Sequence, residues 1–244
     1  FYSEQNFYYN VSYWCISCCI KKVNLKYIYI ISFLIILNSC SQENEINKSN
    51  LKYLALGDSY TIGENIAFED AYPNQIVREL SLIDSVNVIA KTGWTTNELI
   101  DTLSKSYLDK YDVVSLLIGV NNQFRGYQID KYVMEFENLL IRAIDYSKNK
   151  KNVFVLSIPD YGVTPFGKVR GQEKIYKEIN SYNDINRVLA EKYNVLYFDI
   201  TEISRKAEND TSLLAEDKLH PSKKMYKMWV DKLKYELLDS LKKN

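Results

Sequence analysis

From Leu51 onward the chain alternates short apolar runs with longer stretches whose apolar residues recur every three or four positions. The short runs are Tyr53–Leu56, Val86–Ala90, Val113–Ile118, Val153–Ile158 and Val195–Phe198, and they read as buried strands. Between them, Tyr72–Leu82, Thr96–Leu108, Asp130–Lys148 and Gln172–Tyr193 read as helices. In the last of these, Ile175, Ile179, Tyr182, Ile185 and Leu189 share one face. A closing helix over Ser222–Leu241 aligns Met225, Trp229, Leu233, Leu237 and Leu241, with Pro221 just ahead of it, where proline suits a helix start. Alternating strands and helices predict an α/β fold: a five-stranded parallel sheet with helices on both faces and right-handed crossovers. Such sheets bind ligands beyond the carboxyl ends of their strands, so polar residues that carry chemistry should follow strands. They do. Gly57-Asp58-Ser59 follows the first strand, Lys91-Thr92-Gly93-Trp94 the second, Gly119-Val120-Asn121-Asn122 the third and Pro159-Asp160-Tyr161-Gly162 the fourth; Asp217 and His220 come after the fifth.

The first fifty residues follow another pattern. Lys21, Lys22 and Lys26 precede the apolar run Tyr27–Leu37, which ends in Asn38-Ser39-Cys40. A basic region, a short apolar region and a small residue before the cut predict a secretory signal over 21–39. The run is too short to serve as a permanent membrane span. Leu37-Asn38-Ser39-Cys40 resembles the lipobox of bacterial lipoproteins, which implies lipidation of Cys40 and a mature chain beginning there. Export and anchoring to a bacterial membrane by lipid alone, periplasmic or surface-facing, are the expectations. Residues 40–50 then read as a polar tether and 51–244 as the folded domain. The stretch 1–20 lacks helical or strand periodicity, and the first methionine of the sequence is Met134. It is expected to lie upstream of the native start.

Composition narrows the partners. Lys plus Arg and Asp plus Glu each number 31. Setting aside 1–39 removes three Lys and one Glu, leaving 28 basic against 30 acidic side chains, without the basic footprint of a nucleic-acid binder. Cys15, Cys18, Cys19 and Cys40 all precede the domain. Cys15-x-x-Cys18 has no second pair and no nearby histidine, so no metal site is assigned. Signatures for nucleotide or zinc binding are missing from the mature part, and no cofactor is implied. The 21 tyrosines fit aromatic loops, and a monomer is expected.

Ser59 ends a strand at a turn, where a serine becomes a nucleophile if a base reaches it. His220 is the sole histidine in 244 residues, and Asp217 stands three positions before it. In order and strand-end placement, Gly57-Asp58-Ser59, Gly93, Asn121 in Gly119-Val120-Asn121-Asn122, and Asp217-Lys218-Leu219-His220 resemble the four blocks of the SGNH hydrolases, or GDSL esterase/lipase family. The resemblance covers Leu51 to Trp229. It implies a flavodoxin-like three-layer sandwich, a Ser59–His220–Asp217 triad, and an oxyanion hole formed by the Ser59 and Gly93 N–H groups and the Asn121 amide. The third block of the family reads G-x-N-D; here Asn122 replaces the aspartate, which bears on how that loop is held. An α/β-hydrolase elbow, G-x-S-x-G, does not fit, since Tyr60-Thr61 follows Ser59.

The resemblance implies a serine esterase acting through an acyl-enzyme on small or carbohydrate-linked esters, with a small-molecule or glycan ester as substrate. Trp94, Gln123, Phe124 and Tyr161 are candidate substrate contacts, with Arg125, Tyr127, Asp160 and Thr164 beside them. A different reading is a lipid-anchored binding protein on a catalytically silent scaffold of the same family.

Overall fold

The computed structural model of the chain describes residues 50–243. The expectations for the upstream segment, the signal sequence, Cys40 and nearly all of the tether lie outside the described residues. Five strands, β1 (Leu51–Gly57), β2 (Ile83–Ala90), β3 (Val113–Leu117), β4 (Val153–Leu156) and β5 (Leu196–Phe198), form one sheet in the order β2-β1-β3-β4-β5. Every neighbouring pair is parallel, and this is the flavodoxin-like order. β3 and β4 are buried at every position, and β1 is buried from Tyr53 on. Both faces of the sheet are covered, so these strands read as continuous apolar runs rather than alternating ones. β2 lies at an edge, and its exposed Asp84, Ser85 and Asn87 hide its first half from a search for apolar runs.

The helices are α1 (Ser59–Ile62), α2 (Tyr72–Glu79), α3 (Thr96–Ser104), α4 (Val120–Phe124), α5 (Ile129–Tyr146), α6 (Pro165–Tyr193), α7 (Thr201–Arg205) and α8 (Lys223–Lys242). α2 and α7 pack on α8, while α3 and α6 pack on α5. The sequence period fails to announce α1, α4 and α7 because four or five residues do not complete two turns. α6 begins earlier than its period indicates. Thr164 caps its first arm, Pro165 opens it, and Gly171 breaks the helical backbone at φ +100° before the periodic arm begins at Gln172.

The predicted face of α8 is buried throughout, with Trp229 against Tyr226 and Tyr72 at ring-centroid distances of 4.7 and 6.0 Å. The tyrosines correct an expectation. Tyr53, Tyr60, Tyr72, Tyr132, Tyr182 and Tyr226 are buried rather than displayed on loops. The hydroxyls of Tyr53, Tyr72 and Tyr226 find partners inside: Ser115 Oγ lies 2.6 Å from Tyr53 Oη and 3.2 Å from Tyr72 Oη, and Tyr226 donates to the Tyr60 carbonyl at 2.9 Å. Buried hydroxyls so paired escape most of the cost of desolvation.

Gly57 pairs with both Ala90 and Leu117, so β1, β2 and β3 end level with one another. Residues 59, 93 and 121 lie two to four positions beyond those ends. The sheet order reverses between β1 and β3, and the crevice at such a switch point is where open α/β sheets bind ligands.

Candidate active site

Gly57 has a steric explanation. A Cβ on it would lie 2.1 Å from Thr61 Oγ1 and 2.4 Å from the Leu117 carbonyl oxygen, so the chain can turn there only without a side chain. Asp58 then caps α1, its Oδ1 accepting from the Tyr60 N–H at 3.0 Å. Ser59 is the first residue of that helix.

The histidine arrives on a turn built by its own aspartate. Leu214 and Pro221 form an antiparallel bridge, and the Ala215 N–H donates to the His220 carbonyl at 2.7 Å. Lys218 takes the left-handed conformation between them, at φ +58°. Asp217 Oδ1 accepts from the N–H groups of Leu219 and His220 at 2.9 and 3.0 Å, so the D-x-x-H spacing is that of a carboxylate tying its own turn. Its Oδ2 meets His220 Nδ1 at 2.6 Å, and His220 Nε2 meets Ser59 Oγ at 3.1 Å. The Tyr60 ring stands edge-on to the imidazole, 5.7 Å between centroids.

Burial pushes the Asp217 carboxyl up, but donation by His220 and the two N–H groups outweighs it and leaves the group below the ordinary aspartate range. Asp58 is moved the other way. It is fully buried, Oδ2 has no hydrogen-bond partner, and burial pushes it up to about 7 against the smaller opposing pull of the Tyr60 N–H.

The two remaining strand ends approach the same place. Gly93 stands at φ +81° and Gly119 at φ +129°; a Cβ on Gly119 would lie 2.6 Å from the Tyr132 hydroxyl. Asn121 Nδ2 donates to the Trp94 carbonyl at 2.9 Å, which fixes the side chain with one amide hydrogen and leaves it a second. Asn122 is buried. Its Oδ1 accepts from the Thr96 N–H at 3.0 Å and its Nδ2 donates to Thr96 Oγ1 at 2.6 Å, locking the α4 turn to the start of α3. Thr96 Oγ1 in turn donates to Glu135.

A cleft of about 160 Å³ joins Ser59, Gly93, Asn121 and His220, with Phe124, Tyr161 and Phe166 forming an aromatic side. Of the candidate substrate contacts, Phe124 and Tyr161 line this cleft. Trp94 and Gln123 do not: Trp94 packs on the core, while Gln123 accepts from the Tyr161 hydroxyl at 2.9 Å and donates to Glu178 at 2.7 Å. Arg125 donates to the Gly93 carbonyl at 2.7 Å, and the Tyr127 carbonyl accepts from the Tyr182 hydroxyl at 3.3 Å. Asp160 and Thr164 shape the loop behind Tyr161, where Arg205 Nε donates to Asp160 at 3.0 Å. Sequence reading passed over Phe166 and Asn65. Phe166 follows Pro165 beyond β4 and could have been found by the strand-end rule, whereas nothing in the sequence marks Asn65. Among the described residues, no three His, Cys, Asp or Glu side chains are grouped to hold a metal ion, and no helix is long and apolar enough to cross a membrane.

A model of the GDSL-like lipase/acylhydrolase family matches residues 55–228. No curated protein sequence matches the chain. Among solved structures, a variant of Axe2, an acetyl xylan esterase from Geobacillus stearothermophilus, is similar at 21% identity and TM-score 0.60, over 78% of this chain and 95% of its own. TesA is similar at 14% identity and TM-score 0.59, over 78% and 99%. A lipolytic G-D-S-L protein from Veillonella parvula is similar at 15% identity and TM-score 0.56, over 75% and 95%. At these identities the likeness is one of fold.

Proposed function

The chain belongs to the GDSL-like lipase/acylhydrolase family, and on that premise we propose that it is a serine esterase removing a small acyl group from an alcohol through an acyl-enzyme on Ser59. The hydrogen-bonded series Ser59 Oγ–His220 Nε2 and His220 Nδ1–Asp217 Oδ2, at 3.1 and 2.6 Å, carries the reading. Ser59 Oγ attacks the ester carbonyl as its proton passes to His220 Nε2. Asp217, held ionised, fixes the proton on Nδ1 and stabilises the imidazolium. Charge gathering on the carbonyl oxygen is met by the N–H groups of Ser59 and Gly93 and by the second amide hydrogen of Asn121. Losing one such donor typically costs about 10²–10³ in kcat. Collapse of the tetrahedral intermediate breaks the C–O bond, and His220 returns the proton to the leaving alcohol. Water then repeats the sequence on the acyl-enzyme and frees Ser59.

The size of the cleft supports a small acyl group. At about 160 Å³ it is well below the roughly 300–1,000 Å³ of pockets for drug-sized ligands. Its aromatic side gives a flat apolar surface for a sugar ring, and the fold neighbour that is an acetyl xylan esterase makes acetylated glycans the first class to try.

Hydrolysis of p-nitrophenyl esters from acetate to octanoate, by wild type and Ser59→Ala, tests this. Turnover is expected to be greatest with acetate, to fall steeply with chain length, and to vanish in Ser59→Ala. A rate rising toward octanoate would replace the small-acyl reading with a lipase-like one, and turnover retained by Ser59→Ala would remove the nucleophile.

A further inference from the structure

The loop that leaves α1 reaches both halves of the site. Gly63 caps the helix in the left-handed region at φ +79°, and Asn65 adopts the same conformation at φ +61°. Asparagine tolerates that region far better than β-branched or bulky residues. The two adjacent side chains then take separate tasks. Glu64 accepts from the hydroxyl of Thr92, the neighbour of Gly93. Asn65 Nδ2 donates to Asp217 Oδ2 at 2.5 Å, the same oxygen that His220 Nδ1 meets at 2.6 Å.

Asp217 thus has four donors. Three of them, the N–H groups of Leu219 and His220 and the His220 ring, belong to its own turn and move with it. The fourth comes from 152 residues away in sequence, on the segment that carries Ser59. Beside the edge-on packing of Tyr60 on the imidazole, two side-chain hydrogen bonds link the serine segment to the histidine–aspartate turn, Ser59 to His220 and Asn65 to Asp217. Of these two hydrogen bonds, only the second leaves the reacting atoms free.

We propose that Asn65 is a positioning residue: its amide anchors Asp217 Oδ2 to the Ser59 segment and so sets where His220 Nε2 stands relative to Ser59 Oγ. This rests on the reading of Ser59 as the nucleophile. Sharing Oδ2 between two donors also tempers how strongly the carboxylate draws on Nδ1. Removing the amide leaves a more basic carboxylate, which favours the imidazolium. Other titratable groups lie nearby: Tyr60 packs on the imidazole and in turn feels Asp58 at the start of α1 and Asp160 and Tyr161 on the loop after β4, Tyr226 on α8 feels Asp217, and Glu64, Glu216 and Lys218 are the chain neighbours of Asn65 and Asp217. All of them are retained when only residue 65 changes.

Asn65→Gly is the informative variant, because glycine takes a positive φ without strain and the change removes the amide alone. Asn65→Asp keeps the turn but sets a second carboxylate against Asp217. Hydrolysis of p-nitrophenyl acetate across pH gives kcat and KM. The single histidine of the chain makes its ring resonances a second readout by NMR that does not depend on turnover. In Asn65→Gly, kcat is expected to fall about 10- to 100-fold, the scale of a misplaced catalytic group, with KM within about twofold. The acid limb of kcat/KM and the His220 ring titration should both move to higher pH, and further in Asn65→Asp. An Asn65→Gly protein with wild-type kcat and an unmoved ring titration would overturn the proposal. So would a loss of activity matched by an equal loss of folded protein. Wild-type turnover that disappears in Ser59→Ala sustains the nucleophile whatever Asn65→Gly does; a wild type without turnover overturns both.

Discussion

Asp58 and Asp217 flank the same serine, yet their surroundings push them in opposite directions. Asp217 collects donors and stays ionised; Asp58 is buried with one oxygen unpartnered and is pushed up to about 7. A carboxyl raised in the folded state holds its proton there while the unfolded chain has released it. Between the ordinary aspartate range and about pH 7, folding therefore takes up a proton, and stability falls as pH rises through that window. From pH 5.5 to 8 the loss through this group is about 2 kcal/mol, and Asp58→Asn should flatten it. Urea midpoints of the two proteins at those pH values check this; equal slopes against pH would mean that Asp58 is ionised when buried. The variant also tells which group sets the acid limb of activity. If His220 is the base, the acid limb of kcat/KM survives in Asp58→Asn. Ser59 and His220 were legible in the sequence because the chain has a single histidine and because the polar residues fell after strands. Asn65 was not, since its partner lies far along the chain and an asparagine two residues after a glycine reads as any turn.

At the scale of elements, Asn122 explains the departure from the G-x-N-D pattern. Thr96 Oγ1 donates to Glu135, so its remaining need is for a donor, and Asn122 Nδ2 supplies one while Oδ1 takes the Thr96 N–H. An aspartate could take the N–H but would bring a second carboxylate toward Glu135 with nothing to donate. Asn122→Asp, which restores the family residue, should therefore destabilise this protein by about 1–3 kcal/mol, the cost of an unsatisfied buried polar group. Thermal unfolding reads it directly, and a melting temperature at or above the wild-type value would show that the pocket accepts the charge. The long helices and inner strands could be read from their periods because packing covers one stripe or both faces. α6 was cut short by its own glycine: φ +100° at Gly171 separates a first arm without a period from a second arm that has one. The edge strand β2 was shortened for the complementary reason, since three of its eight residues, all in or next to its first half, are exposed.

At the scale of the molecule, the switch point of a five-stranded parallel sheet gathers residues 59, 93, 121 and 220 into one cleft. The strand-end rule read from the sequence led to that cleft, but not to which neighbouring side chains line it. Trp94 and Phe124 are equally plausible on paper, and only packing turns one inward and leaves the other at the mouth. Residues 21–40, which resemble a lipoprotein signal, lie outside the described residues. We propose that Cys40 carries the lipid; Cys40→Ser produced in bacterial cells should then move from the detergent phase to the aqueous phase, and unchanged partitioning would remove the anchor from the account.

The central claim is that Ser59 is a nucleophile made reactive by His220, and it can be tested without knowing the substrate. The protein would be treated with a serine-directed organophosphonate and the adduct located by peptide mass spectrometry. One adduct on Ser59, absent in Ser59→Ala and formed at least about 10³-fold more slowly in His220→Ala, is the expected result. An unlabelled Ser59 in folded wild type would contradict it and favour a silent scaffold that binds its ligand without turning it over.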